Sequence, residues 1–210
     1  MARQAERIGL FGGSFDPVHV AHLALARTAL DTLGLDRLHW VPTRPWQKAG
    51  RELAADEHRA AMVALAIDGE PRYRLDRREL RRTGPSYTVD TVCELHAEHP
   101  GAWVFLLLGQ DQYANLHTWK DWQSLLPLVT LAVAARDGRR PEPAPELAAV
   151  PHRLEMLAMP RLDVSATDIR TRLARGEPAS ALVPSLVTAP VARYIDQHRL
   201  YAAAPTTPRS

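Results

Sequence analysis

The 210-residue chain contains very little lysine and almost no cysteine. All but two of its 26 Lys and Arg residues are arginine, with lysine only at Lys48 and Lys120, and we interpret this bias as a property of genome composition. The single cysteine, Cys93, cannot form an internal disulfide, which favours a reducing compartment. We interpret it as a packing residue of a helix. The formal charge of +2 is too small to indicate a nucleic-acid-binding protein by itself.

Long apolar runs are also missing from the sequence. No window approaches the length of a membrane-spanning helix, and the first residues lack the apolar core of an export signal. We therefore expect a cytoplasmic protein without a membrane partner. Hydrophobic residues at 46% and charged residues at 24% are sufficient for a packed core. The length predicts a single domain over residues 1–201, followed by a flexible tail over residues 202–210.

Short buried strands alternate with amphipathic helices along the chain. The strongest strand patterns lie at residues 7–11, 37–41, 103–108 and 129–134, with shorter candidates at 73–76 and 154–157. Helices are predicted at residues 18–33, 56–67, 88–99, 165–175 and 187–198, and two short helical pieces within 116–126. This alternation predicts an α/β fold with a doubly wound, Rossmann-like, mainly parallel sheet, helices on both faces and a helical C-terminal part. Such sheets bind ligands at the strand C-terminal ends where the strand order reverses.

The most informative stretch joins the first strand to the first helix, and its sequence is Phe-Gly-Gly-Ser-Phe-Asp-Pro-Val-His-Val-Ala-His. Gly12 and Gly13 allow a ligand to approach the backbone closely. The following helix, with Asp16 as a candidate N-cap, presents N–H groups and a positive dipole end to a phosphate. His19 and His22 are spaced i and i+3, so they share one face of the first turn. A tight turn with two incidental histidines is the weaker alternative, and the stretch predicts a polyphosphate site.

Two further turns carry candidate binding residues. Ser165 and Asp168 have the spacing of a capping box, and Arg170 lies within reach of the same helix N-terminus. Gly109 ends the most apolar strand and Asp111 follows it. That pair fits either a simple turn or a carboxylate that binds two vicinal hydroxyls. A parallel sheet would bring this turn next to the one that contains the two glycines.

These motifs resemble those of the nucleotidylyltransferase superfamily. The first resembles its phosphate-binding signature, Gly-Gly-x-Phe-Asp-Pro-x-His-x-Gly-His, with Ala21 in place of the usual Gly. The run Asp-Val-Ser-Ala-Thr-Asp-Ile-Arg resembles its second motif, with Val164 in place of Ile, and the resemblance covers nearly the whole chain. It implies an ATP site formed by Gly12, Gly13, Ser14, Phe15, His19, His22, Gly109, Asp111, Ser165, Thr167 and Arg170.

The runs Pro-Ser-Tyr-Thr and His-Thr-Trp-Lys, which end at Thr88 and Lys120, resemble one branch of this superfamily, the bacterial nicotinate-nucleotide adenylyltransferases. Without the resemblance, Thr88 would be interpreted as an N-cap and Trp119 as a core aromatic residue. The resemblance implies that Trp119 stacks on the pyridine ring of nicotinate mononucleotide. It also implies that the nicotinate carboxylate binds backbone N–H groups near Thr88 and Lys120. Lys120 would add a charge contact, and Ser14 is a further candidate for this substrate.

The implied reaction transfers AMP from ATP to nicotinate mononucleotide, giving nicotinate adenine dinucleotide and pyrophosphate, in NAD biosynthesis. His19, His22, Lys48 and Arg170 would be the catalytic residues, with Arg44 as the alternative to Lys48. Mg²⁺ would be carried with ATP. We expect no metal site formed by the protein, because neither a carboxylate cluster nor a metal-ligand spacing of histidines is evident.

Other functions remain open at this point. The acceptor could instead be nicotinamide mononucleotide or phosphopantetheine, or the chain could be a sensor that binds ATP without chemistry. We expect no nucleic-acid partner. The basic run at residues 77–82 is interpreted as a solvated face, with a contact in a homo-oligomer as the alternative.

Overall fold

The computed structural model describes residues 5–44, 53–136, 140–160 and 162–203. Within these residues one sheet has six strands: Arg7–Gly13 (β1), Arg37–Pro42 (β2), Tyr73–Leu75 (β3), Trp103–Leu108 (β4), Thr130–Arg136 (β5) and Arg153–Met159 (β6). Their spatial order is β3-β2-β1-β4-β5-β6, and each neighbouring pair is parallel. The predicted doubly wound α/β fold is therefore confirmed.

Helices connect the strands and follow the last one. Their bounds are Val20–Leu33 (α1), Asp56–Ile67 (α2), Arg78–Arg81 (α3), Thr88–Glu98 (α4), Gln110–Ala114 (α5), Trp122–Leu125 (α6), Pro145–Ala148 (α7), Ala166–Ala174 (α8) and Ala189–His198 (α9). Single 3₁₀ turns lie at Leu116–Thr118, Leu126–Leu128 and Ala179–Leu182. In the described part of the chain, every helix is too short or too polar to cross a membrane.

The strand order reverses between β1 and β4. From β1 the chain moves outward through β2 to β3, and it then returns to the other side of β1 as β4. Leu10 of β1 lies opposite Leu106 of β4 in the register. The turns that follow these two strands are therefore neighbours, although nearly a hundred residues separate them in sequence.

Alternate residues of β4 pack on opposite faces of the sheet. Phe105 and Leu107 belong to a core cluster that includes residues of α1, α2, α8 and α9. Leu106 and Leu108 belong to a second cluster with residues of α4, α5 and α6. Burying one such side chain contributes about 1.5–3 kcal/mol. Because both faces are covered, an apolar residue is favoured at each of positions 104–108, whereas Trp103 at the start of the strand is exposed.

Some local predictions are wrong. α1 begins two residues later than predicted, and its N-cap is His19 in an extended conformation rather than Asp16. Asp16 is instead fully buried. Thr88 is the first residue of α4, and Tyr87 occupies the N-cap position. Cys93, interpreted as a packing residue, is exposed on α4.

The basic run at residues 77–82 is not a uniformly solvated face. It forms α3, in which Glu79 and Leu80 are buried. The guanidinium of Arg78 pairs with Glu98 of α4 over 2.8 Å. Ion pairs and an apolar contact therefore attach this segment to the rest of the fold, and they place it beside the cavity described next.

Candidate active site

A cavity of about 540 Å³ opens at the C-terminal ends of β1 and β4. This is the position at which doubly wound sheets bind ligands, and the volume is in the range of small-molecule sites. Most of the predicted substrate-binding residues line its wall, namely Gly12, Gly13, Ser14, His19, His22, Thr88, Gly109, Trp119, Lys120 and Ser165. Ala21, which stands where the superfamily signature has Gly, also lies in the wall.

The turn between β1 and α1 holds two histidines against each other. The rings of His19 and His22 are stacked, with centroids 3.6 Å apart. The backbone N–H of His19 donates to Nδ1 of His22 over 3.1 Å, so the neutral ring of His22 carries its proton on Nε2. Phe15, predicted to contact ATP, is buried in the core with its ring edge-on to His22 and the centroids 5.1 Å apart. The Phe15 side chain thus supports His22 from behind and does not line the cavity.

Both imidazoles are neutral at pH 7 in the free protein. Burial lowers the pKa of His19 from 6.5 to about 4. Burial, together with the neighbouring His19, lowers the pKa of His22 well below its usual value. The two rings therefore act as uncharged N–H donors. A bound polyphosphate would supply the opposite charge that favours their protonated forms.

The lowered pKa of His19 predicts that the stability of the protein depends on pH. Between pH 6.5 and about 4 the unfolded chain binds a proton at His19 that the folded protein does not, so the free energy of unfolding falls on acidification. The slope from this residue is about 1.4 kcal/mol per pH unit, and its contribution is complete above pH 6.5. Urea unfolding at several pH values should show that His19→Gln has a shallower slope than the parent protein. Equal slopes for His19→Gln and the parent protein would contradict the lowered pKa of His19.

The second motif caps α8 and reaches back to the first. The backbone N–H of Asp168 donates to Oγ of Ser165 over 3.1 Å, as the capping prediction requires. Arg170 donates to the backbone oxygen of Asp16 over 2.6 Å and to Oγ1 of Thr167 over 3.1 Å. Ser165 lines the cavity, whereas Thr167 and Arg170 lie outside its wall. The Arg170 guanidinium therefore joins two segments that are 154 residues apart.

The residues predicted to contact the ribose and the phosphates do not all line the cavity. Gly109 is the N-cap of α5 and lines the cavity. Asp111 is exposed in the first turn of that helix, and the wall contains Gln112 instead. Lys48 lies outside the described residues. Arg44, the alternative cation, lines the cavity and forms an ion pair with a carboxylate of α2.

The candidate residues for the second substrate lie together in the wall. Thr88 begins α4 and lines this part of the cavity, so the N-terminus of that helix borders it. Trp119 is half-buried: it packs on the second core cluster and also lines the cavity, and its stacking on a pyridine ring stays a prediction. Lys120 is exposed, lines the cavity and pairs with Asp121 over 3.4 Å.

Glu79 is a buried carboxyl group in the wall that the sequence interpretation missed. It is 6% exposed, and burial raises its pKa. It accepts a hydrogen bond from Oγ1 of Thr91 over 2.7 Å, and Arg82 donates to the same Oγ1 and to Oγ of Ser86. This chain of hydrogen bonds fixes the loop before Thr88. In the sequence, Glu79 is one glutamate within a basic run, and this pattern does not indicate that the side chain is buried.

Arg59 is the second residue that was missed. Its fully buried guanidinium donates to the backbone oxygens of Ser14 over 2.6 Å, Thr43 over 2.8 Å and Ala54 over 3.1 Å. It also donates to Asp56 over 2.5 Å. Arg59 therefore holds the loop after β1 against the end of β2. The sequence carried a signal for the burial of Arg59, because this arginine stands three residues before Met62 and so lies on the apolar face of α2.

Comparison with known proteins places these features in a family. The sequence matches the cytidylyltransferase-like family over residues 10–172. It is 54% identical over 202 residues to a protein of Methylibium petroleiphilum named "Probable nicotinate-nucleotide adenylyltransferase", covering 96% of this chain and 95% of the relative. It is 49% identical over 201 residues to a protein of the same name from Bordetella petrii, covering 93% and 99%.

Solved structures agree on the fold. The Plasmodium falciparum nicotinic acid mononucleotide adenylyltransferase complexed with APC superimposes with a TM-score of 0.75 at 18% identity, covering 93% of this chain and 97% of that one. The same enzyme complexed with NaAD superimposes with a TM-score of 0.74. The matched domain and the identity to the curated relatives lead to one assignment. The chain belongs to the cytidylyltransferase-like family and, within it, to the nicotinate-nucleotide adenylyltransferases.

Proposed function

We propose that this protein transfers the AMP moiety of ATP to nicotinate mononucleotide and releases nicotinate adenine dinucleotide and pyrophosphate. The observation that carries the proposal is a single cavity whose wall contains His19 and His22 of the phosphate-binding turn together with Thr88 and Trp119. The names of the curated relatives support it. We place the reaction in the cytoplasm, because a chain with one cysteine is typical of a reducing compartment.

The chemistry is a single in-line displacement. A new P–O bond forms between the phosphate of nicotinate mononucleotide and the α-phosphorus of ATP. The bond from that phosphorus to the oxygen that bridges to the β-phosphate breaks, and pyrophosphate leaves with the electron pair. The attacking phosphate is already anionic at pH 7, so no general base is required. Catalysis then consists of positioning two anions that repel each other and stabilising the charge of the transferring group.

The turn after β1 would hold the reacting phosphates. The backbone at Gly12 and Gly13 borders the cavity, and no side chain there obstructs a phosphate. His19 and His22 would donate N–H groups to the α-phosphate region. Because these donors are uncharged in the free protein, their contribution comes from preorganised hydrogen bonds and grows as negative charge develops.

The second motif would bind the leaving group, and the turn after β4 the nucleoside. Ser165 and Ala166, the first residue of α8, border the cavity, and this helix N-terminus suits the β- and γ-phosphates. Thr167 and Arg170, which lie outside the wall, would add a hydroxyl and a positive charge. Gly109 and Asp111 would contact the ribose. Lys48 remains a predicted additional cation for the phosphates.

Mg²⁺ would enter this site on the phosphate oxygens of ATP. Among the residues that the structure describes, no group of three or more His, Cys, Asp or Glu side chains is arranged to hold a metal ion. A cation bound mainly by substrate oxygens and water is the usual arrangement for Mg²⁺ with nucleotides. Its chemical contribution would be to neutralise charge on the polyphosphate.

The carboxylate of nicotinate suits the part of the wall that contains Thr88, Trp119 and Lys120. The start of α4 offers backbone N–H groups and a positive dipole end near Thr88. Hydrogen bonds to a carboxylate are stronger than those to a carboxamide of the same shape. Trp119 would pack against the pyridine ring, and Lys120 would add a charge contact. We therefore propose nicotinate mononucleotide rather than the nicotinamide form as the preferred acceptor.

Replacing the indole tests this role for Trp119. Trp119→Ala should raise the KM for nicotinate mononucleotide by about tenfold, since base–aromatic stacking contributes about 1–3 kcal/mol, and should change the KM for ATP much less. Trp122→Ala is a matched control, because Trp122 is also partly buried against the second core cluster but is not in the cavity wall. Equal effects of the two substitutions on the acceptor KM would exclude stacking by Trp119.

Pyrophosphate release with ATP and a panel of acceptors tests the proposal as a whole. We expect turnover with nicotinate mononucleotide, less with nicotinamide mononucleotide and none with phosphopantetheine. A preference for either of the other two acceptors would assign the alternative adenylyltransferase activity. ATP binding without pyrophosphate release on any acceptor would identify a sensor and overturn the proposal.

A further inference from the structure

The Asp16 carboxylate contacts residues from segments that are distant in sequence. It is fully buried in the turn before α1. Its Oδ1 accepts hydrogen bonds from the backbone N–H of Ala54 over 3.2 Å and from the hydroxyl of Tyr201 over 2.8 Å. The Arg170 guanidinium lies 3.9 Å from Oδ2 and donates to the backbone oxygen of the same residue. A buried carboxylate requires such donors, because it has been removed from water.

The chain reverses direction after α9 to deliver the Tyr201 hydroxyl. Arg199, the C-cap of that helix, has a φ of +50° and Tyr201 has a φ of +64°, both in the left-handed region. The backbone N–H of Leu200 donates to the oxygen of Ile195 over 3.0 Å, which closes the reversal. The Tyr201 ring then packs against the first core cluster.

Tyr201 is held in its protonated, hydrogen-donating form. Burial and the adjacent Asp16 carboxylate raise its pKa above the ordinary value of 10. The hydroxyl therefore donates to the carboxylate across the physiological pH range. Tyr201 and Asp16 are 185 residues apart, so this contact fastens the C-terminal part of the fold to the turn that carries the two histidines.

We infer that Tyr201 is a positioning residue for ATP, acting through Asp16 on the phosphate-binding turn and on Arg170. This inference rests on the proposed function and deepens it. If the hydroxyl is removed, the Asp16 carboxylate loses a donor and attracts the nearby Arg170 guanidinium more strongly. The turn and the guanidinium then leave the arrangement in which they can bind phosphates. The described contacts of Asp16 lead to Ala54, Tyr201 and Arg170, whereas the acceptor side is built on Thr88 and Trp119.

Tyr201→Phe removes only the hydroxyl and keeps the packed ring. We expect the dissociation constant of MgATP, measured by equilibrium dialysis without acceptor, to rise about tenfold, as for loss of one hydrogen bond to a charged group. The KM for nicotinate mononucleotide should stay within about twofold, because stacking and helix N-terminal contacts are unaltered. The midpoint of urea unfolding is measured on the same samples.

Tyr194→Phe is the matched control. The Tyr194 hydroxyl, on α9, also makes a side-chain hydrogen bond, to Nδ1 of His58 over 3.0 Å, but outside the cavity wall. Both variants lose one tyrosine hydroxyl, and only Tyr201→Phe should weaken MgATP binding. Equal effects on MgATP binding, or a parallel rise of both substrate constants that follows the loss of stability, would overturn the inference.

A double-mutant cycle tests whether Tyr201 acts through the charge of Asp16. In an Asp16→Asn background no buried carboxylate remains to be held, so adding Tyr201→Phe should change MgATP binding by less than about twofold. Two independent, multiplicative effects would contradict the mechanism. Because MgATP binding is measured without turnover, a failure of the proposed reaction is recognised separately, from the absence of pyrophosphate release by the parent protein.

Discussion

His22→Ala should lower kcat by about 10²–10³-fold, the effect typical of removing one preorganised donor from a developing negative charge. The imidazole lies in the cavity wall at the first turn of α1, stacked on His19 and bonded through Nδ1 to the backbone N–H of that residue. Its remaining nitrogen, Nε2, is the donor available for a phosphate. The measurement is steady-state pyrophosphate release at saturating substrates.

His96→Ala is the control for effects that follow from replacing any partly buried histidine by alanine. His96→Ala removes another partly buried ring, whose Nε2 lies 2.8 Å from the backbone oxygen of Leu128 outside the cavity. We expect this variant to keep turnover within a few-fold of the parent protein. His22→Ala should unfold cooperatively with a similar midpoint. Near-parental turnover of His22→Ala would remove the catalytic role from this residue.

Arg59→Met should lower the free energy of unfolding by about 3–5 kcal/mol, the usual cost of breaking a buried ion pair by removing one partner. The substitution keeps much of the side-chain volume but leaves the backbone oxygens of Ser14 and Thr43 without this donor. It also removes the buried partner of Asp56. Because those two loops border the cavity, binding of ATP should weaken as well. Denaturant unfolding measures the stability effect.

Arg44→Met is the appropriate comparison for stability. Arg44 pairs with the same carboxylate of Asp56, but its side chain is 52% exposed, and exposed ion pairs contribute about 0–1 kcal/mol. We therefore expect a small change in the free energy of unfolding for Arg44→Met and a large one for Arg59→Met. Similar small changes in both variants would show that burial of the Arg59 guanidinium does not contribute to the stability of these loops.

Features that depend on short-range sequence pattern were predictable. The six successive apolar residues of β4 predicted a strand covered on both faces. The structure confirms the predicted bounds and the burial of residues 104–108, whereas Trp103 at the start of the strand is 59% exposed. α2 likewise has its predicted ends, residues 56 and 67. His19 and His22 also lie side by side as expected, with stacked rings, but His19 is the extended N-cap of α1 and not a residue of its first turn.

Features that depend on distant partners were not predictable. Asp16 resembles a helix N-cap in sequence, yet backbone and side-chain donors 38 and 185 residues away bind its carboxylate, and the cap position passes to His19. Glu79 lies in a basic run, yet Thr91 and the surrounding fold bury it. Burial of a charged group is stable only when its partners are in place, and those partners are assembled by the tertiary fold.

The sequence by itself determined the alternation of strands and helices and the residue types of the turns that follow β1 and β4, because these follow from periodicity and from short motifs. Only the tertiary structure decided which of those residues face the cavity. It placed Phe15 in the core and Arg170 behind the turn. It also decided that His19 and His22 are uncharged donors, because the pKa of an imidazole depends on its desolvation and on its neighbours, and neither is encoded in local spacing.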